Sequence, residues 1–126
     1  MSNIIKEMFA VGSGGFIGSC LRFAFTKMGN KYFPHFPLGT LISNLTAGLL
    51  IGIIIGYTQD SQGLSEKMKL FITAGFLGGL STFSTFSMDT IGLFQEQKYG
   101  YVFLNILLNL GLSLLFTYIG LILSKR

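Results

Sequence analysis

The sequence predicts an all-α integral membrane protein with four transmembrane helices per chain, the third of them broken near its centre. Three observations carry that prediction. Half of the 126 residues are hydrophobic and only 11% are charged. The apolar residues gather in four stretches, at residues 8–25, 38–57, 70–88 and 101–123, and about 20 apolar residues are what a helix needs to cross a bilayer. The third stretch then places five hydroxyls, on Ser81, Thr82, Ser84, Thr85 and Ser87, directly after Gly78 and Gly79. Glycine is a poor helix former, and hydroxyl side chains compete with the helical ladder for backbone groups. The length suits one domain, residues 1–126.

Taken in order, segment one carries a single charge, Arg22, and two glycines four apart, Gly14 and Gly18. Lys6 ahead of it and the run Ile-Gly-Ser-Cys at its centre have the look of a secretion signal. The chain beyond this segment is dominated by further apolar stretches, so a membrane span is the better reading. Residues 27–37 hold the breakers Gly29, Asn30, Pro34 and Pro37. Segment two has no charge; Gly48, Gly52 and Gly56 share one register, and such small residues let membrane helices approach closely. Residues 58–69 are polar, with Asp60, Glu66, Lys67 and Lys69. Segment three repeats the small-residue spacing at Gly75 and Gly79, and residues 95–100 lead to an uncharged segment four. Linkers this short predict consecutive helices as antiparallel neighbours.

The net charge of +4 comes from basic residues scattered near segment ends, which is no nucleic-acid footprint. Cys20 is the only cysteine, so no intrachain disulfide forms. Four crossings put Lys6, Lys67, Lys69, Lys125 and Arg126 on one side, and Lys27, Lys31, Lys98 and Arg22 on the other. A Lys/Arg excess normally sets orientation. Five against four leaves two readings open: one weak preference, or insertion both ways up with opposed copies forming an antiparallel dimer.

No nucleophile, acid and base stand together in the apolar segments, so an enzyme is not expected. His35 is alone between two prolines. What the segments hold is neutral polar groups: Asn44, Asn105, Asn109 and the hydroxyl cluster. Each asparagine reads either as an interhelical hydrogen bond or as the lining of a cavity. Amide N–H and hydroxyl O–H groups donate to anions. Phe83 and Phe86, spaced i, i+3, share a helix face, and the ring edge is the positive part of the aromatic quadrupole. With Arg22 nearby, the set favours a small anion over a cation.

The residues carry a resemblance beyond this. Gly14-Gly15-Phe-Ile-Gly18-Ser-Cys-Leu21-Arg22, then Gly39-Thr40-Leu41-Ile-Ser-Asn44, and above all Gly75-Phe-Leu-Gly78-Gly79-Leu80-Ser81-Thr82-Phe83-Ser84-Thr85-Phe86-Ser87 resemble the Fluc (CrcB) fluoride channel family. The resemblance runs through all four segments, in the fourth mainly by length and hydropathy. Asp89 stands where that family commonly has Glu, Ala47 where it has Gly, Ser81 where it has Thr, and Asn105 and Asn109 where it has Tyr and Ser.

The resemblance implies an antiparallel dual-topology homodimer with two pores in the inner (plasma) membrane, a multi-pass protein with membrane lipid around it. It implies passive export of fluoride. Phe83 and Phe86 would line the pores, Asn44 would donate to the ion, Ser84 and Thr85 would belong to a polar track, and Arg22 would sit near a vestibule. A structural sodium ion would be held by the carbonyls of Gly78 and Ser81 from both chains. The rivals are a small dual-topology exporter, which needs a membrane carboxylate that segment one lacks, and a non-transporting scaffold. Ion flux from purified protein separates all three.

Overall fold

The computed structural model describes residues 2–59 and 63–125, and every regular element among them is helical. Asp60 of the second linker and Arg126 of the charge balance lie outside the described residues. Helix α1 runs Ser2–Tyr32 and α2 runs Leu38–Gln59. The third span opens with α3, Glu66–Leu70, where the Ser65 hydroxyl caps the first turn by accepting from the Met68 N–H at 3.2 Å. It continues through a π-helical turn, Phe71–Leu77, into α4, Gly78–Leu80, and after two extended residues resumes as α5, Phe83–Gln95. The fourth comprises α6, Tyr99–Ile106, a π-helical stretch, Leu107–Leu112, and α7, Ser113–Ser124. Four spans, Asn3–Tyr32, Leu38–Gln59, Glu66–Gln95 and Tyr99–Ser124, are long and apolar enough to cross a membrane.

The helices outrun the apolar segments that predict them. Helix α1 has 31 residues, about 46 Å at 1.5 Å per residue, against a hydrocarbon core of about 30 Å. Its polar end stays helical. There the Lys27 ammonium lies 5.7 Å from the Phe23 ring and Lys31 lies 5.6 Å from Tyr32, so long stems lie against rings while the charges reach water.

Backbone proximity, more than large side chains, joins the spans. Spans one and two meet near their linker, where a Cβ on Gly29 would lie 2.5 Å from the Gly39 nitrogen. Along their length the close contacts fall between alternate spans, whereas the short linkers predict consecutive neighbours. On the one-to-three interface a Cβ on Gly75 would sit 2.7 Å from the Val11 oxygen. On the two-to-four interface a Cβ on Gly52 would strike the Thr117 carbonyl, and the Thr117 hydroxyl donates to the Gly48 oxygen at 2.9 Å.

The molecule is inverted relative to a water-soluble fold. Leu80, Asn105 and Ser43 are its largest fully buried side chains, two of the three polar. Phe9, Phe16 and Phe103 are exposed on the chain's outer surface. Hydrocarbon is as apolar as leucine, so an apolar exterior costs nothing in lipid, while polar groups turn inside, where Asn105 finds hydrogen-bond partners and the Ser43 hydroxyl has none among the described residues.

Candidate functional site

The site is built around Ser81 and Thr82, both extended, at φ −79°, ψ 155° and φ −153°, ψ 125°. Gly78 and Gly79, expected to disrupt the helix themselves, keep helical geometry, with Gly78 at φ −65°, ψ −36°. Gly79 serves close packing instead: a Cβ there would lie 2.7 Å from the Gly15 oxygen. An extended pair within a membrane span frees backbone groups that lipid cannot satisfy, and neighbouring spans supply partners. Ser81 N–H and its hydroxyl both reach the Leu77 oxygen at 3.0 Å. Thr82 N–H, which would otherwise bond to Gly78, donates to Asn44 Oδ1 at 2.8 Å. The Thr82 hydroxyl caps α5 by accepting from the Thr85 N–H at 3.1 Å. Arg22 Nε donates to the Gly79 oxygen at 3.0 Å.

From Asn44 a chain of carboxamides crosses to the fourth span. Asn44 Nδ2 donates to Asn109 Oδ1 at 2.8 Å and, at a longer 3.3 Å, to the Thr82 carbonyl. Asn109 Nδ2 donates to Asn105 Oδ1 at 3.0 Å and to the Asn105 carbonyl at 2.9 Å. Asn105 Nδ2 donates to the Thr90 hydroxyl at 2.9 Å, which donates to the Phe86 carbonyl at 2.7 Å. Both segment-four asparagines therefore make interhelical hydrogen bonds, and Asn109 also lines the groove described next.

A groove of about 400 Å³ follows the extended pair. It gathers Asn44, Gly78, Ser81, Phe83 and Phe86 of the predicted residues, with Thr82, Asn109 and Ser113 beside them. The two rings lie 5.5 Å apart, yet Phe86 is 7% exposed and Phe83 is 72% exposed. Ser84, Thr85 and Arg22 are not among the groove's lining residues. Ser84 faces outward, its hydroxyl 3.4 Å from that of Thr82; Thr85 contributes its amide to the cap. The Ser113 hydroxyl is buried with no hydrogen-bond partner among the described residues. A second cavity, about 230 Å³, lies towards the linker end and is lined by His35, Asp89, Glu96 and Lys98 among others. Asp89 Oδ2 there accepts from the Thr40 hydroxyl at 2.8 Å, and Lys98 pairs with Glu96 at 3.2 Å.

The carbonyls of Gly78 and Ser81 have both lost the amides that would serve them in a continuous helix, Thr82 N–H to Asn44 and Thr85 N–H to the Thr82 hydroxyl. Oxygens freed in this way fit a hard cation. Sequence reasoning placed Asn44 at the site but missed its backbone partner, Thr82; the i, i+4 spacing of Asn105 and Asn109 was the available signal for the relay.

The family described as CrcB-like protein, Camphor Resistance (CrcB), matches residues 9–121 of this chain. The chain belongs to the CrcB family. Among its CrcB relatives, the fluoride-specific ion channel FluC of Clostridium perfringens is 49% identical over 111 residues, 87% of each chain. The protein of that name from Campylobacter jejuni is 42% identical over 123 residues, 97% of this chain and all of the other. That from Escherichia coli O1:K1 is 42% identical over 117 residues, 93% of each. With four membrane-capable helices, this CrcB chain is a multi-pass membrane protein.

Proposed function

We propose that this chain is a passive fluoride-selective ion channel, not an enzyme. The observation that carries the reading is its membership of a family whose relatives, 40–49% identical, are named fluoride-specific ion channels. The groove agrees with that chemistry: it is lined by neutral residues, among them amide and hydroxyl groups and two phenylalanines. In the groove, Asn44 N–H and the ring edges of Phe83 and Phe86 would replace water around a small anion, and Ser84 and Thr85, which lie off the groove, would belong to a polar track outside it. The Arg22 guanidinium, which donates to the Gly79 oxygen, adds positive charge beside the extended pair. Fluoride's gradient would drive it out of the cytoplasm, and the larger chloride would fit such a path poorly.

The reading extends to an antiparallel dual-topology homodimer with two pores, embedded in plasma-membrane lipid. The near balance of five basic residues against four supports it, as does Phe83, 72% exposed on the protomer at the groove, where a second copy would cover it. In the assembly the third span is a broken helix with Ser81 and Thr82 as its middle. The Gly78 and Ser81 carbonyls of both copies would hold a sodium ion, which would supply fixed positive charge and cross-link the two breaks.

Purified protein reconstituted in liposomes tests the proposal. Fluoride should leave loaded vesicles within seconds to minutes of collapsing the opposing potential, while chloride stays. Vesicles that retain fluoride like protein-free controls would overturn the reading and leave the small-solute exporter or the membrane scaffold.

A further inference from the structure

The relay from Thr82 to Phe86 has a fixed direction, because both ends are backbone groups that cannot exchange roles. The Thr82 N–H only donates, so it demands Oδ1 of Asn44. The Asn105 and Phe86 carbonyls only accept, so the first demands Nδ2 of Asn109 and the second the proton of Thr90. Between these anchors each carboxamide has one permitted orientation. Turning Asn44 over would set its NH₂ against the Thr82 N–H and its oxygen against Asn109 Oδ1, two like-with-like contacts at 2.8 Å.

One link is weaker than the rest. Of the Asn44 amide hydrogens, one is held by Asn109 Oδ1 at 2.8 Å; the other reaches the Thr82 carbonyl only at 3.3 Å. Asn44 lines the groove, so the loosely held hydrogen is the one an anion there would take. We infer that Asn105 and Asn109 are positioning residues: the Thr82 N–H sets which way the Asn44 carboxamide faces, and the two asparagines hold its N–H side in place at the groove, where it favours an anion over a cation. This rests on the channel reading. It assigns the segment-four asparagines an action through Asn44, with no contact to the ion. Asn105 is fully buried; Asn109, 4% exposed, borders the groove, but its Oδ1 is taken by Asn44 and its Nδ2 by Asn105.

The test uses the full-length protein in liposomes with a fluoride electrode. Asn109→Leu removes the acceptor for Asn44, and flux should fall at least tenfold in protein that still elutes as wild type does. Added to Asn44→Ser, the same change should cost nothing further. Losses that multiply would mean that Asn109 meets the ion itself, and flux within twofold of wild type in Asn109→Leu would mean that no lock exists; either overturns the inference. Should Asn109→Leu not assemble, Asn109→Ala decides, because it removes the same acceptor without adding bulk. Its flux should also fall at least tenfold; flux within twofold of wild type overturns the proposal. If wild type itself carries no fluoride, the channel reading falls separately. The relay is then read by hydrogen exchange at the Thr82 amide, expected to quicken at least tenfold in Asn109→Leu and overturned if unchanged.

Discussion

Replacing Phe83 and Phe86 in turn should separate ring chemistry from packing, because the two rings sit so differently. Phe86 is 7% exposed and Phe83 72% exposed within one protomer. Truncating a buried phenylalanine costs roughly 3–5 kcal/mol in a soluble core. Phe86→Ala should therefore weaken the protomer fold, while Phe83→Ala leaves it nearly intact. Isoleucine keeps much of the bulk and removes the positive ring edge. Aromatic contacts are worth about 0.5–1.5 kcal/mol beyond area, roughly a twofold to tenfold factor in rate per ring. Phe83→Ile should therefore cut fluoride flux by up to about tenfold in protein that elutes normally. Phe86→Ile should do the same with a lower melting temperature. Phe→Tyr preserves the ring and Phe→Met its polarisability, so both should retain partial flux. Flux from liposomes and dimer content by size exclusion are measured on the same preparations. If flux follows dimer content across Ile, Met and Tyr at both positions, the edge argument is wrong and both rings are packing.

Asn44→Asp keeps the acceptor for Thr82 N–H but loses the donors to the Thr82 carbonyl and Asn109 Oδ1; anion flux should stop in an assembled protein, and wild-type flux would remove Asn44 from the pore. Gly52→Val should force α2 from α7, since even a Cβ there meets the Thr117 carbonyl; overpacking costs about 1–3 kcal/mol, read as a lower melting temperature. Tags at the C-terminus should report both sides of the membrane, and two lysines added to the linker before Glu66 should fix one orientation and abolish flux, restored by co-expressing an oppositely biased copy.

The four spans were legible because a bilayer demands long apolar stretches and the chain supplies them in order. The helix ends were not. Residues 2–7 and 26–32 are helical yet polar, and backbone hydrogen bonding continues beyond the point where hydropathy stops indicating a span. The turn at Gln97, φ 61°, gives no glycine or asparagine to announce it. The site was legible as a composition, hydroxyls and glycines in one span, but the glycines misled as to place. The chain leaves helical geometry at Ser81 and Thr82, where outside partners exist, and stays helical at Gly78 and Gly79. The Thr40–Asp89 and Asn105–Thr90 pairs join residues 49 and 15 apart, distances over which a single sequence carries no pairing signal.

Those partners explain why an extended pair survives within a membrane span at all. In lipid each unsatisfied backbone group costs several kcal/mol, enough for two or three to exceed the typical 5–15 kcal/mol stability of a folded domain. Two groups from other spans and one from the extended pair itself meet that cost here: Asn44 takes the Thr82 N–H, Arg22 reaches Gly79, and the Thr82 hydroxyl caps α5. Asn44 lies 38 residues from Thr82 and Arg22 lies 57 from Gly79, so the local geometry of the third span is dictated by the first and second. The same arrangement leaves the Gly78 and Ser81 carbonyls without their helical amides. An extended step stabilised from outside thus leaves, in one place, the Asn44 amide at a groove and two carbonyls without their helical amides.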